Sequence, residues 1–323
     1  MRLHRFNEGG DPEMSGPPVP GEARPTVRHL LEYAALRTAV LLLGLLPLRL
    51  ALLKGAAAGY AAWILGVRRR VSMTNLELAF PDLSRRERAR IGARSYANFG
   101  RFTVEFARQR KLGRRHIEKY VRVENPAIME RLGEEGGIGL AFHFGNWELL
   151  GVLQSYYGVS TSLLVGRQHN ALVDGFVNTL RSVHGIGLIS RDGAMRAIFR
   201  TIREKGVVGW LSDQDAGRAG VVVDFFGMPA STPRGAAAFA VKLGCPVYPT
   251  FMVRERGPYH TAVYTEPILP RKDIPAEQAE IELTQLYTRR LEEMVRRRPD
   301  LYWWPHRRWK TTGLYGGARR KAE

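Results

Sequence analysis

The chain has 323 residues, enough for one large α/β domain with appendages, and 45% of them are hydrophobic. Its single cysteine, Cys245, excludes an internal disulfide and a cysteine-based zinc site, and fits a reducing compartment. A formal net charge of +18 calls for an anionic partner: a membrane face, a phosphorylated lipid, an acidic carrier protein or nucleic acid.

Residues 1–26 are rich in Gly, Pro and acidic residues, show no apolar period and read as a disordered tail. Residues 27–67 reverse that character, and Thr38 to Val67 is almost wholly apolar, interrupted by Pro47, Arg49 and Lys54. A bilayer span needs about 20 apolar residues. Two cations near its centre cost about 2.5–3.5 kcal/mol each, which the leucines between Leu41 and Leu53 about offset. Crossing is therefore marginal. A helical hairpin within one leaflet fits as well, with Arg49 and Lys54 reaching headgroups. A helical pair packed on a soluble domain is the plain alternative. Arg68-Arg-Arg70 suits an anionic surface.

Ser84-Arg-Arg-Glu87 is a capping box and predicts a helix to about Arg110, with Phe99, Phe102 and Phe106 on one face. Behind a Gly pair, Ile138 to Phe142 reads as a buried strand, broken at Gly145-Asn146, and Trp147 to Leu153 as a helix. Buried strands are also predicted at Thr161 to Val165 and Val207 to Leu211, and a short one at Gly187 to Ser190. Helices are expected at Asp174 to Val183 and Ala194 to Lys205. An Ala-rich helix, the strand Val247 to Val253 and an amphipathic helix from Pro275 to Val295 complete the set. The alternation implies an α/β fold with a mainly parallel sheet flanked by helices, over residues 68–310. Residues 311–323 form a basic tail.

This order places His143, Arg167 and Asp213 at carboxyl ends of strands, where open sheets bind ligands. Glu148 opens the next helix. A tight turn would let it hydrogen-bond one ring nitrogen of His143 and leave the other facing a cleft as a base, with no Ser or Cys nucleophile beside it. The spacing is cheap, since His169 has Asp174 at the same distance. Arg167 and Arg181 suit a phosphate or carboxylate. Asp213 can accept from an Arg or a substrate hydroxyl, and Gln214 can donate to developing negative charge. An Asx-type turn is the structural alternative for Asp213-Gln-Asp215. The cluster Tyr302-Trp-Trp-Pro-His-Arg-Arg-Trp-Lys310 interleaves aromatics and cations, as at a protein–headgroup interface.

His143-Phe-Gly-Asn-Trp-Glu148 resembles the catalytic motif of the lysophospholipid acyltransferase superfamily. More narrowly, it resembles the late (lauroyl/myristoyl) acyltransferases of lipid A biosynthesis, whose branch carries Glu at the last position. Asn75-Leu-Glu-Leu-Ala-Phe-Pro81, Asp213-Gln-Asp215 and the Trp-rich cluster resemble the same family, so the likeness runs from about Arg68 to Lys310. Thr232 to Gly235 stands where glycerophosphate acyltransferases carry a Pro-Glu-Gly-Thr-Arg loop.

The resemblance implies transfer of an acyl chain from an acyl carrier protein or coenzyme A thioester to a hydroxyl of a lipid A precursor, a phosphorylated glycolipid. It also implies catalysis by His143 and Glu148, and substrate binding by Asn146, Arg167, Arg181, Asp213 and Gln214. No cofactor, metal or nucleic acid is called for. The expected place is the cytoplasmic face of the inner membrane, against its anionic surface. The same chemistry on a phosphatidylinositol mannoside, an ornithine lipid or a lysophospholipid is one alternative. A non-catalytic basic binding protein is another.

Overall fold

Pro47 cannot continue a helix, and it divides the apolar stretch into α1 (Val27–Leu45) and α2 (Leu48–Ile64) in a computed structural model that describes residues 25–191 and 193–315. Most of the expected disordered tail, and residues 316–323 of the basic tail, lie outside the described residues. Among the described helices, none is alone long and apolar enough to cross a membrane. Helix α2 together with α3 (Arg69–Ala79) has the length and composition, but the pair bends by 89°. The bend falls at Arg68, a non-glycine residue held in the left-handed region at φ 51°, which costs roughly 1–2 kcal/mol.

Helix α2 lies on α4 (Arg85–Ala107), which starts at the expected capping box. Their backbones touch. A side chain at Gly100 would strike the Gly55 carbonyl, and one at Gly59 the Tyr96 carbonyl. Ala51, Leu52 and Ala56 are buried in this contact, while Leu50, Leu53, Ile64, Leu65 and Val67 remain exposed. Leu41, Leu42 and Leu45 of α1 are exposed as well, so the hairpin carries an extended apolar surface.

The chain continues through α5 (Arg114–Tyr120), β1 (Val121–Glu124), α6 (Pro126–Glu135), β2 (Gly137–Ala141), α7 (Trp147–Tyr156), β3 (Thr161–Val165), α8 (Ala171–Ser182) and β4 (Gly187–Ser190). Then follow α9 (Ala194–Arg203), β5 (Val207–Leu211), β6 (Val221–Phe225), β7 (Met228–Thr232), α10 (Gly235–Leu243), β8 (Val247–Arg256), β9 (Tyr259–Tyr264) and α11 (Ala276–Arg297). Seven strands form one sheet in the order β1-β9-β8-β2-β5-β3-β4. Every neighbouring pair is parallel except β8 with β9. The expected mainly parallel sheet is therefore present, with helices flanking it.

Two features depart from the expectations. The hairpin β6–β7 turns through Phe226 and Gly227, both at positive φ, where sequence signals favour Asn-Gly or Asp-Gly. Asp224 Oδ1 accepts from Gly227 N at 3.0 Å, and Phe226 packs edge-on against Phe80, so tertiary contacts hold a phenylalanine in a conformation it does not favour. Most of the C-terminal aromatic cluster is core rather than surface. Tyr302, Trp304, Arg308 and Trp309 are buried among Phe225, Phe80 and the sheet, and only Trp303, Arg307, Lys310 and part of His306 reach the surface. Enough apolar area faces this segment to make it core.

Candidate functional site

The site is built by the register of two parallel strands. β2 and β5 pair through Ala141↔Leu211, and two residues beyond each lie His143 and Asp213. His143 Nδ1 is 2.8 Å from Asp213 Oδ1, and the His143 backbone N–H donates to Oδ2 at 3.1 Å. An ionised carboxylate only accepts, so Nδ1 carries the proton and Nε2 is left with its lone pair. Gln214 Nε2 lies 3.3 Å from that nitrogen. Burial pushes the Asp213 carboxyl up. The hydrogen bonds from the His143 ring and backbone, the attraction of that ring once protonated, and the Arg308 guanidinium behind outweigh it and hold the group below its ordinary value. Tyr302 stays protonated beside it, pushed well up by burial and by the Asp213 charge.

The anticipated bond between Glu148 and His143 is not formed. Glu148 instead accepts from Arg181, with Nε at 3.0 and 3.2 Å and Nη2 at 2.7 Å. The turn between them is not tight, because its backbone is drawn against the sheet and the C-terminal segment. Gly145 N donates to Leu301 O, Asn146 N to Met252 O, and Trp303 N to His143 O. Gly145 sits at φ +61°, and a side chain there would strike the Met252 carbonyl. Stretched over these contacts, the segment sends the imidazole toward β5 and the first turn of α7 toward α8.

Asn146 was expected at the substrate, but it is only 1% exposed. Its Oδ1 caps α7 by accepting from Leu149 N at 3.2 Å, and its Nδ2 donates to Glu105 Oε2 at 2.7 Å. Glu105 is itself paired with Arg254 through bonds of 2.9 and 2.5 Å, and His260 lies 3.6 Å away. This sealed cluster beneath the turn was not singled out from sequence, where its members are far apart and carry no motif.

His143, Glu148, Arg167, Arg181 and Gln214 all line one cavity of about 760 Å³, joined at its mouth by Arg191. The structure thus brings together the predicted residues except Asp213, which stands behind His143, and Asn146, which lies below. Deeper in, the walls are Gly139, Leu163, Ile198, Gly209 and Phe239. Gly139 and Gly209 are direct partners on β2 and β5, and Val207 and Leu163 pack where their side chains would stand, so apolar groups floor a slot beneath the mouth. By contrast, His169 meets His29 edge-on, and Asp174 accepts from Gln168 N.

A mainly parallel α/β sheet with a His–Asp pair at its carboxyl edge, opening on a cavity with an apolar floor, defines a site able to move a proton beside a partly apolar ligand. The chain belongs to the bacterial lipid A biosynthesis acyltransferase family, whose match covers residues 22–311. It is similar to the phosphatidylinositol mannoside acyltransferase of Mycobacterium tuberculosis (strain ATCC 25618 / H37Rv), with 32% identity over 113 residues. That match spans 33% of this chain and 35% of the relative's own length. The lipid A biosynthesis palmitoleoyltransferase of Escherichia coli (strain K12) is 25% identical over 249 residues, 76% of this chain and 79% of that one. The lipid A biosynthesis myristoyltransferase of the same organism is 24% identical over 239 residues, 73% of each.

Proposed function

We propose that this chain is an O-acyltransferase, moving a fatty acyl chain from a thioester of acyl carrier protein or coenzyme A to a hydroxyl of a lipid A precursor. The observation that carries the reading is the His143–Asp213 pair at the mouth of an apolar slot, with Nε2 turned toward Gln214 and the cavity. In the reaction, Nε2 takes the proton of the acceptor hydroxyl while its oxygen attacks the thioester carbonyl carbon. The C–S bond breaks, and the thiolate leaves and takes a proton from the imidazolium. Asp213 fixes the tautomer and stabilises the imidazolium, the role first assigned to Glu148. Gln214 supplies a donor near the developing oxyanion. Glu148 acts at one remove, holding Arg181 at the mouth beside Arg167. The slot takes the acyl chain, within the volume typical of small-molecule sites. The exposed leucines of the hairpin set the protein on the cytoplasmic face of the inner membrane, and the basic surface suits an acidic carrier.

Incubating purified protein with acyl carrier protein thioester and lipid A precursor tests the reaction, with His143→Ala as its control. Transfer by both proteins, or by neither, sinks the proposal. The 32% identity to a phosphatidylinositol mannoside acyltransferase favours a second acceptor. Lipid mass spectrometry of a deletion strain separates the two: loss of one ester-linked chain from lipid A supports the first, and loss from a phosphatidylinositol mannoside the second.

A further inference from the structure

A second concavity, of about 520 Å³, lies on the other side of the Asp213–Asp215 loop, lined by Arg68, Val71, Asp215, His306, Arg307 and Lys310. Among the described residues, none of its three cations pairs with a carboxylate. The Arg68 Nε donates to Pro305 O at 2.8 Å, which ties the guanidinium to the wall of the basin it lines. The one carboxylate present is already satisfied by neutral donors: Thr311 N and Oγ1 reach Asp215 at 3.0 and 2.7 Å, and Gly217 N at 3.3 Å. His306 Nε2 accepts from Asp215 N at 2.8 Å, so the ring holds the loop rather than adding charge. The basin is thus a cationic hollow whose three positive charges have no carboxylate partner among the described residues.

Its position gives it a purpose. Asp215 lines both concavities, so the basin and the His143 cavity meet at one loop. Ile64, Leu65 and Val67, exposed apolar residues, immediately precede Arg68. We propose that Arg68, Arg307 and Lys310 bind a phosphate group carried on the headgroup of the acceptor lipid, presenting an acceptor hydroxyl to His143 from the side opposite the acyl slot. Two guanidinium groups and an ammonium on one small basin match the oxygens of a phosphate, and charge-assisted bonds are the stronger kind. The acceptor part of this assignment rests on the proposed acyl transfer, whereas the phosphate site does not.

The test is the double variant Arg307→Gln/Lys310→Gln in the full chain, beside Arg289→Gln/Arg290→Gln, which removes equal charge from an exposed face of α11. Sedimentation with phosphatidylcholine vesicles, with and without phosphatidic acid, should show the first variant losing about tenfold or more in phosphatidic-acid-dependent binding and the second little. Titration with inorganic phosphate at fixed ionic strength is the other arm. Loss of phosphate binding with vesicle binding unchanged would assign the basin to free phosphate and overturn the lipid assignment. Equal losses in both variants, or none in the first, would overturn the site itself. In the transfer reaction, the first variant should raise the acceptor KM with kcat little changed. No transfer by the wild type would end the reaction proposal, but the binding arms would still read the basin. Transfer with an unaltered acceptor KM would end the acceptor assignment alone.

Discussion

Two buried carboxylates flank the His143 turn, and they are employed differently. Asp213 is paired with an imidazole whose side chain is 21% exposed and opens on the cavity, whereas Glu105 is sealed with Arg254, both nearly inaccessible. The first pair has one nitrogen left over for chemistry. The second has its charges answered from within, by Arg254 and the Asn146 amide. A carboxylate beside a reactive turn can thus serve either the reaction or the turn, and the solvent access of its partner distinguishes them.

The largest effect should come from the open pair. Asp213→Asn and His143→Ala should each lower turnover by about two to four decades with little change in acceptor KM, while His169→Ala stays near wild type. Steady-state acyl transfer checks this, and a mild Asp213→Asn would remove that residue from the proton-transfer unit. Breaking the sealed pair should act on stability instead. Glu105→Gln leaves Arg254 without its counter-charge and should cost about 3–5 kcal/mol in urea unfolding, with the folded fraction retaining most of its turnover.

Glu148→Gln tests the intermediate case. It removes the charge opposite Arg181, so we expect a lower thermal midpoint by about 1–3 kcal/mol equivalent and a smaller fall in turnover than Asp213→Asn. The opposite ranking would return Glu148 to the proton-transfer unit despite its bond to Arg181.

Acid should sharpen the contrast by the least margin. Burial holds His260 neutral, with its pKa lowered from 6.5 to about 4, despite the nearby Glu105. Between those values the unfolded chain binds a proton that the folded chain does not, so stability falls as pH drops across that window. Burial raises the Glu105 carboxyl and Arg254 more than reverses it, so its contribution is lost only below the ordinary value of 4.5, as pH falls through the lowered folded value. His260→Asn should therefore flatten the stability profile between pH 6.5 and about 4. It should not abolish the slope, because His306 is also lowered to about 4 by burial. Urea midpoints across pH check this, and an unchanged slope would show that His260 is not the group being protonated.

How much of this was legible in the sequence depends on the range of the interactions. Local apolar runs gave β2, β3, β4 and β5 nearly to the residue and β8 except for its last three residues, and the Ser84 box gave the start of α4, because those signals are local. The partner of His143 was not legible from local spacing. Asp213 is 70 residues away, and what joins them is the pairing of β2 with β5. The nearer carboxylate, Glu148, was the natural choice until the contacts of Gly145 and Asn146 with distant backbone lengthened the turn. The fate of Trp304 and Trp309 was hidden for a related reason. Aromatics among arginines look alike at an interface and in a core, and only the surface facing them decides.

The glycine contact between α2 and α4 has a mechanical side. At Gly55, Gly59 and Gly100 the two backbones touch, and between those points Ala51, Leu52 and Val104 close the contact, so the hairpin is seated tightly where it meets α4. Helix α4 also carries Glu105, and with it the Asn146 cap, as well as Phe102 stacked on Trp147. These contacts join the helix under the hairpin directly to the turn that bears His143. On the membrane seat proposed above, that apolar surface would set the height and tilt of the His143 imidazole, as a foot sets the height of a needle.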